Sequence, residues 1–66
     1  MRTYDVHFND NENSNKKGFK ATRQYCNTYI NAFNGTSSGY FPDYKGGTVS
    51  VVCNETGETV YEENIN

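Results

Sequence analysis

One histidine and two cysteines are the side chains of this chain that could perform nucleophilic chemistry. A thiol needs a neighbouring base to act as a nucleophile near neutral pH, so His7 would have to lie beside Cys26 or Cys53. The alternation of residue types in residues 3–8 places His7 on the polar side of a strand, whereas both cysteines fall on apolar positions. We therefore expect no enzyme activity and two buried, reduced thiols, although the sequence leaves open whether they form a disulfide.

A metal site is suggested only by residues 10–15, where oxygen-bearing side chains alternate as in the first half of a calcium-binding loop. The pattern then fails, because Asn15 stands where the loop needs glycine and Ala21 stands where it needs a bidentate carboxylate. One histidine and two separated cysteines also fall short of a zinc site. We predict no metal and no cofactor.

Four of the six basic residues fall within eight positions, and they are Lys16, Lys17, Lys20 and Arg23. Cations beside the first turn of a helix can bind phosphate, which makes nucleic-acid or phosphate binding an alternative function. The same cluster is also typical of a solvated helix face. A net charge of -2 argues against wholesale wrapping of nucleic acid.

The segment 38–47 combines aromatic, charged and turn-forming residues in a connection longer than most. Its candidate binding residues are Tyr40, Phe41, Asp43, Tyr44 and Lys45. Tyrosine is favoured at binding hot spots because it offers a large face with few torsions and a hydroxyl. We expect Phe41 and one tyrosine to cap a small core, and exposure of Tyr40 or Tyr44 for binding is the alternative.

Periodicity predicts the elements that must position these residues. A period of two predicts a strand at about residues 2–8, and an Asn-rich loop follows at 9–17. A helix at about 18–34 is predicted by one apolar stripe, flanked by Tyr25 and Ala32, whose members are Phe19, Thr22, Cys26, Tyr29, Ile30 and Phe33. Ser14 or Asn15 would cap this helix, and Asn34-Gly35 would end it. After the loop 35–47, two strands at about 48–54 and 58–65 form a hairpin with Gly57 in its turn.

These elements assemble into one small domain spanning residues 1–66, because 66 residues cannot build two cores. The predicted fold is α+β, a two-layer β-α-β-β sandwich with one helix on a three-stranded, mainly antiparallel sheet. If the first strand pairs with the last, the sheet is wholly antiparallel. If it pairs with the middle one, a parallel crossover results. We favour the first arrangement.

We expect a small, non-catalytic, cytoplasmic interaction module that binds another macromolecule. The predicted partner is a protein, bound through the Tyr40 to Tyr44 loop and an adjacent sheet edge. Two alternatives stay open: nucleic-acid binding by the basic cluster, and a structural homo-oligomer, including a homodimer joined through a sheet edge. No apolar run is long enough for a membrane span, so we expect no membrane partner.

Overall fold

The computed structural model describes residues 1–66 and contains a four-stranded antiparallel sheet with one helix packed on one of its faces. The elements are β1 (Tyr4–Asn9), β2 (Ser14–Ala21), α1 (Arg23–Phe33), a 3-10 turn (Pro42–Tyr44), β3 (Thr48–Cys53) and β4 (Thr59–Asn64). The order across the sheet is β2-β1-β3-β4. The α+β class is confirmed, and the predicted three-stranded sheet is corrected to four strands.

The additional strand lies where the sequence predicted the loop 9–17. Only residues 10–13 form a turn, in which Asp10 Oδ1 accepts hydrogen bonds from the N–H groups of Glu12 (2.8 Å) and Asn13 (2.6 Å). β2 then pairs with β1 along most of its length, with one irregularity in register. The periodicity of the sequence does not predict β2, because β2 is an edge strand with few apolar side chains and is held mainly by its main-chain hydrogen bonds to β1.

The helix is shorter than the predicted 18–34 and starts after Thr22. The Thr22 hydroxyl oxygen accepts the N–H of Tyr25 at 3.1 Å, so Thr22 is the N-cap and the predicted caps Ser14 and Asn15 are wrong. At the other end, the Asn34 N–H donates to the Ile30 carbonyl at 2.9 Å. Gly35 follows with φ +91°, as predicted for a residue that ends a helix.

The predicted pairing of the first strand with the last is also wrong. β1 pairs with β3, and the pairing is antiparallel, so the parallel crossover that we weighed as the alternative is excluded as well. The reason is β2, because the β1–β2 hairpin reverses the chain before the helix begins. β3 therefore runs opposite to β1.

The second hairpin forms where the sequence predicted it, with β3 paired to β4 and Gly57 at φ +75° in the connecting turn. A register irregularity lies between Val51 and Val52. β4 occupies one edge of the sheet and β2 the other.

The core lies between the helix and the sheet and is closed at one end by the long connection after α1. Its buried members are Val6, Phe8, Cys26, Ile30, Phe41, Tyr44, Val49, Val51 and Ile65. The Phe8 ring is central, with centroid distances of 4.9 Å to Phe41 and 6.0 Å to Tyr44. Phe41 is 0% exposed and Tyr44 is 7% exposed, which confirms that Phe41 and one tyrosine cap the core.

Candidate functional site

A row of aromatic rings on α1 forms a partly exposed apolar surface. Tyr25, Tyr29 and Phe33 are spaced four residues apart, so they lie on one side of the helix. Phe19 of β2 packs beside them, with ring centroids 5.5 Å from Tyr25 and 4.9 Å from Tyr29. Tyr29 lies 5.1 Å from Phe33 by the same measure. We call Phe19, Tyr25, Tyr29 and Phe33 the aromatic face.

Two members of the aromatic face remain in solvent. Tyr25 is 54% exposed and Phe33 is 38% exposed, and Met1 is the other large apolar side chain that is exposed. A shallow groove of about 170 Å³ runs along the helix and is lined by Tyr25, Thr28, Tyr29, Ala32 and Phe33. Exposed aromatic rings along one side of a helix are costly in water, which marks this surface as a candidate binding site.

The buried side of the aromatic face is anchored to the core through Tyr29. Its ring lies 5.7 Å from that of Phe41, and burial raises the pKa of the Tyr29 hydroxyl. Phe33 packs on Tyr29 and Tyr25 packs on Phe19, so each exposed ring rests on a half-buried ring. A rigid aromatic surface loses little conformational entropy when a partner binds.

The segment after the helix extends this surface toward β2. Gly39 lies so close to Tyr29 that a Cβ at this glycine would stand 3.1 Å from the tyrosine hydroxyl oxygen. The next residue, Tyr40, is half-buried and stacks against Lys17 of β2, whose Nζ lies 5.2 Å from the ring centroid. The aromatic face, the start of the loop and one sheet edge therefore form a continuous surface.

The loop residues predicted as a binding site divide into two groups. Phe41 and Tyr44 are buried in the core and present no ring to a partner. Asp43 and Lys45 are exposed, and Tyr40 is half-buried. The structure thus brings Tyr40 to the accessible surface beside the aromatic face, while two of the five predicted residues serve the fold.

The lysines predicted at a helix start instead lie on β2. Lys17 is opposite Val6, on the helix side of the sheet, and Lys16 is opposite His7, on the open side. Lys16 is already partnered, with its Nζ 3.8 Å from Asp5 Oδ2. Neighbouring lysines therefore point to opposite faces of the sheet.

Arg23 is the one residue of the basic cluster that belongs to the helix. Its Nη2 donates to the carbonyl of Val60 on β4 at 3.0 Å, so its guanidinium lies toward the opposite side of the helix from the aromatic face. The four cations consequently do not converge on one point, and the cluster at a helix start is corrected to a strand edge plus one separate arginine.

The open face of the sheet has Asp5 near its centre, and this carboxylate is 2% exposed. It accepts the Lys20 N–H at 3.0 Å and the Asn54 side-chain amide at 3.1 Å. Burial raises the pKa of Asp5, but these hydrogen bonds and the charge of Lys16 outweigh it and hold the pKa below its usual range. Asp5 therefore fastens β2 and the end of β3 to β1.

The thiols and the histidine lie apart. Cys26 donates to the Tyr4 carbonyl at 3.5 Å, and burial raises its pKa. Cys53 is buried on the core side, where a hydrogen bond with the Thr56 side chain is the main cause that lowers its pKa. His7 lies on the other side of the sheet, and burial followed by the charge of Lys16 lowers its pKa. The structure does not assemble a cysteine–histidine pair.

Residues 10–13, which belong to the segment that resembles part of a calcium-binding loop, form a turn. The Asp10 side-chain oxygen Oδ1 accepts two hydrogen bonds in this turn, and the Asp10 N–H donates to the Asn13 carbonyl at 3.0 Å. No three histidine, cysteine, aspartate or glutamate side chains lie together in a way that could hold a metal ion. The helix is also too short and too polar to cross a membrane.

Sequence reasoning missed the aromatic face because it counted Phe19, Tyr29 and Phe33 as one core stripe, flanked by Tyr25. The helix in fact buries a narrower stripe of Cys26 and Ile30. The sequence did contain a signal of this surface. Tyr25, Tyr29 and Phe33 form an aromatic series with a spacing of four residues, beside the buried stripe of Cys26 and Ile30. A helix of 11 residues on a small sheet cannot bury both series.

Comparisons of the chain with protein-family models, with curated proteins and with solved structures find no match.

Proposed function

We propose that this chain is a non-catalytic module that binds another protein through the aromatic face and the adjoining Tyr40. The observation that carries the proposal is the exposure of Tyr25 and Phe33, side by side with Tyr29, in a chain whose apolar residues are only 33% of the total. A chain with so little apolar material gains stability by burying it, so an exposed aromatic row is best explained by a partner.

The chemistry of this surface fits a protein partner. Tyrosine and phenylalanine are hot-spot residues because each buries a large rigid area for few frozen torsions. The groove beside them is long and apolar, with Thr28 and Ala32 providing small side chains between the rings. A partner would insert an apolar side chain into this groove and leave the Tyr25 hydroxyl at the rim.

Nucleic-acid binding has weaker support. Lys16 is paired with Asp5, and Arg23 donates to a main-chain carbonyl, so two of the four cations are already engaged. Phosphate binding gains most where several free cations converge. A structural homo-oligomer is a further alternative that a mass measurement would detect.

The proposal is tested by capture of partners on the immobilised protein from a lysate of its native cells. The variant Tyr25→Ala/Phe33→Ala removes both exposed rings, and we expect it to lose the captured protein at least tenfold, as for two hot-spot residues of about 1 kcal/mol or more each. The matched control Gln24→Ala/Asn31→Ala changes two exposed helix residues outside the groove.

We expect the control variant to retain the partner. Equal capture by the wild-type protein and by Tyr25→Ala/Phe33→Ala would contradict the proposal. Recovery of nuclease-sensitive material that disappears at high salt would favour the nucleic-acid alternative.

A further inference from the structure

We propose that the partner contributes an extended acidic segment that adds to the outer edge of β2 as a fifth strand. This inference rests on the protein-binding function proposed above and names the chemistry of the partner. β2 pairs only with β1 and forms one end of the sheet. Its unpaired main-chain groups are a template for an extended segment.

The other edge of the sheet is covered in a way that β2 is not. On β4, the carbonyls of Val60 and Asn64 accept hydrogen bonds from the side chains of Arg23 (3.0 Å) and Asn34 (2.9 Å). The helix thus places one side chain at each end of the β4 edge. This leaves β2 as the more open of the two edges.

No side chain covers the carbonyls of β2 in this way. Side chains bond only to its amides, where Asn15 Oδ1 accepts the Lys16 N–H at 2.9 Å and Asp5 Oδ1 accepts the Lys20 N–H at 3.0 Å. The first of these bonds joins adjacent residues at the exposed edge. A hydrogen bond from an incoming strand can replace it at little cost.

The positive charge of β2 indicates which kind of segment would bind at its edge. The strand carries Lys16, Lys17 and Lys20 and no acidic residue, and α1 has no acidic residue either. Lysines on an edge strand oppose pairing with a second copy of the same edge, because like charges would face each other. The same lysines favour a segment rich in aspartate or glutamate.

The two sides of β2 specify how the residues of that segment alternate. Lys17 and Phe19 point to the helix side, where Tyr25 packs on Phe19. Lys16 points to the open side, opposite His7, and Lys20 lies in the irregular stretch of the strand, where its N–H donates to the open-side carboxylate of Asp5. The matching segment therefore alternates, with aromatic or aliphatic side chains on the helix side and acidic side chains on the open side.

A synthetic peptide tests this inference directly. The probe is an eight-residue peptide in which glutamate alternates with phenylalanine and threonine, and its control carries lysine in place of glutamate. We expect the acidic peptide to slow amide hydrogen exchange in residues 14–21 at least tenfold at saturation. The lysine peptide should leave exchange unchanged.

A second control removes the strand hydrogen bonds and keeps every side chain. Methylation of alternate peptide nitrogens in the acidic probe should abolish the protection of β2. On the protein side, Lys20→Gln removes an exposed charge of β2 and leaves the contact of Lys17 with Tyr40 in place, so it should weaken peptide binding roughly two- to threefold at low salt. The control Lys45→Gln, which removes the same charge elsewhere, should bind as the wild type does.

Several results would overturn the inference. If the peptide shifts the NMR signals of Tyr25 and Phe33 but leaves β2 unprotected, or if the methylated probe binds equally well, strand addition is wrong while the proposed function stands. If it perturbs neither surface, and Tyr25→Ala/Phe33→Ala retains its partner, both proposals fail. Protection of β2 by a single-stranded oligonucleotide or by a second copy of the chain, in place of the peptide, also overturns the inference.

Discussion

Asp5 is the charged residue most deeply placed in the fold, and its surroundings explain why it is tolerated there. It receives main-chain and side-chain hydrogen bonds from β2 and from the turn after β3, and the Lys16 ammonium lies 3.8 Å away. A buried carboxylate without such partners would be strongly destabilising. Asp5 thus compensates for the register irregularity of the β1–β2 pairing, which lies at its own position between Tyr4 and Val6.

The lowered pKa of Asp5 predicts a pH dependence with a definite sign. Because the fold favours the carboxylate, its contribution to stability is fully present above the pKa of the unfolded chain and is lost as the pH falls through the lower, folded-state pKa. We expect Asp5→Asn to lower the free energy of unfolding at pH 7 by about 1–2 kcal/mol and to flatten the acid limb below about pH 4.

Urea unfolding between pH 2 and pH 7 measures this effect. The control is Asp43→Asn, which removes an exposed carboxylate and should leave the acid limb unchanged. His7 also has a lowered pKa, so its protonation destabilises the fold in the same direction but at higher pH, and that step should survive in Asp5→Asn. An unaltered acid limb in Asp5→Asn would show that the Asp5 network does not stabilise the fold.

Among the elements, the helix has a start that is set by a tertiary contact, the pairing of β2 with β1, and not by the local sequence pattern. Residues 18–21 fit the helical period, yet they belong to β2 because Lys17 and Ala21, on either side of an irregular stretch, pair with Val6 and Tyr4 of β1. Lys20, with φ +50°, breaks the regular strand just before the helix, and Thr22 then caps the first turn. The helix thus begins directly after β2, with Thr22 as the only residue between the two elements.

The cap predicts a measurable loss. Thr22→Ala removes the hydroxyl that accepts the Tyr25 N–H, and we expect the free energy of unfolding to fall by about 1 kcal/mol. Asn31→Ala, at an exposed position inside the helix, should be neutral or slightly stabilising because alanine is the better helix former. Thermal unfolding of the two variants side by side gives the comparison, and equal stability of both would refute the assignment of the cap.

A strand could be predicted from the sequence most directly where the burial of one of its faces shows in the alternation of residue types. β1 and β3 have apolar side chains at every second position because one face of each strand packs on the core, and this pattern was readable in the sequence. β4, in which Val60 adjoins Tyr61 and Glu62 adjoins Glu63, does not alternate strictly and was predicted as the second strand of the hairpin. β2 has a single large apolar residue, Phe19, and its existence depends on pairing that no local signal encodes. The strand order could not be predicted because it follows from β2, which sets the direction in which the chain enters the helix.

At the scale of the whole molecule, charge is distributed between the two sheet edges. Lysines occupy β2 at one edge, and Glu62 and Glu63 occupy β4 at the other, with Glu58 just before it. The clustering of both signs was visible in the sequence, whereas their separation across the sheet required the strand order. This polarity would orient the acidic partner that we propose toward the edge that adjoins the aromatic face.

The candidate site could also be predicted only in part, because the residue types are visible in the sequence and their exposure depends on the fold. The sequence identified aromatic residues as the binding chemistry, and it correctly assigned Phe41 and one tyrosine to the core. It could not assign Tyr25 and Phe33 to the surface, because exposure depends on how wide a stripe the sheet can cover. Four strands and a helix of 11 residues leave only Cys26 and Ile30 of the helix fully buried.

The measurement that tests the central claim most directly is the free energy of unfolding of Tyr25→Ala beside that of Phe41→Ala. If the aromatic face is maintained for binding, Tyr25→Ala should cost less than about 1 kcal/mol, because the ring is 54% exposed and leaves no cavity. Phe41→Ala should cost about 3–5 kcal/mol as a core truncation. A loss in Tyr25→Ala as large as that in Phe41→Ala would contradict the account, since the ring would then belong to the core.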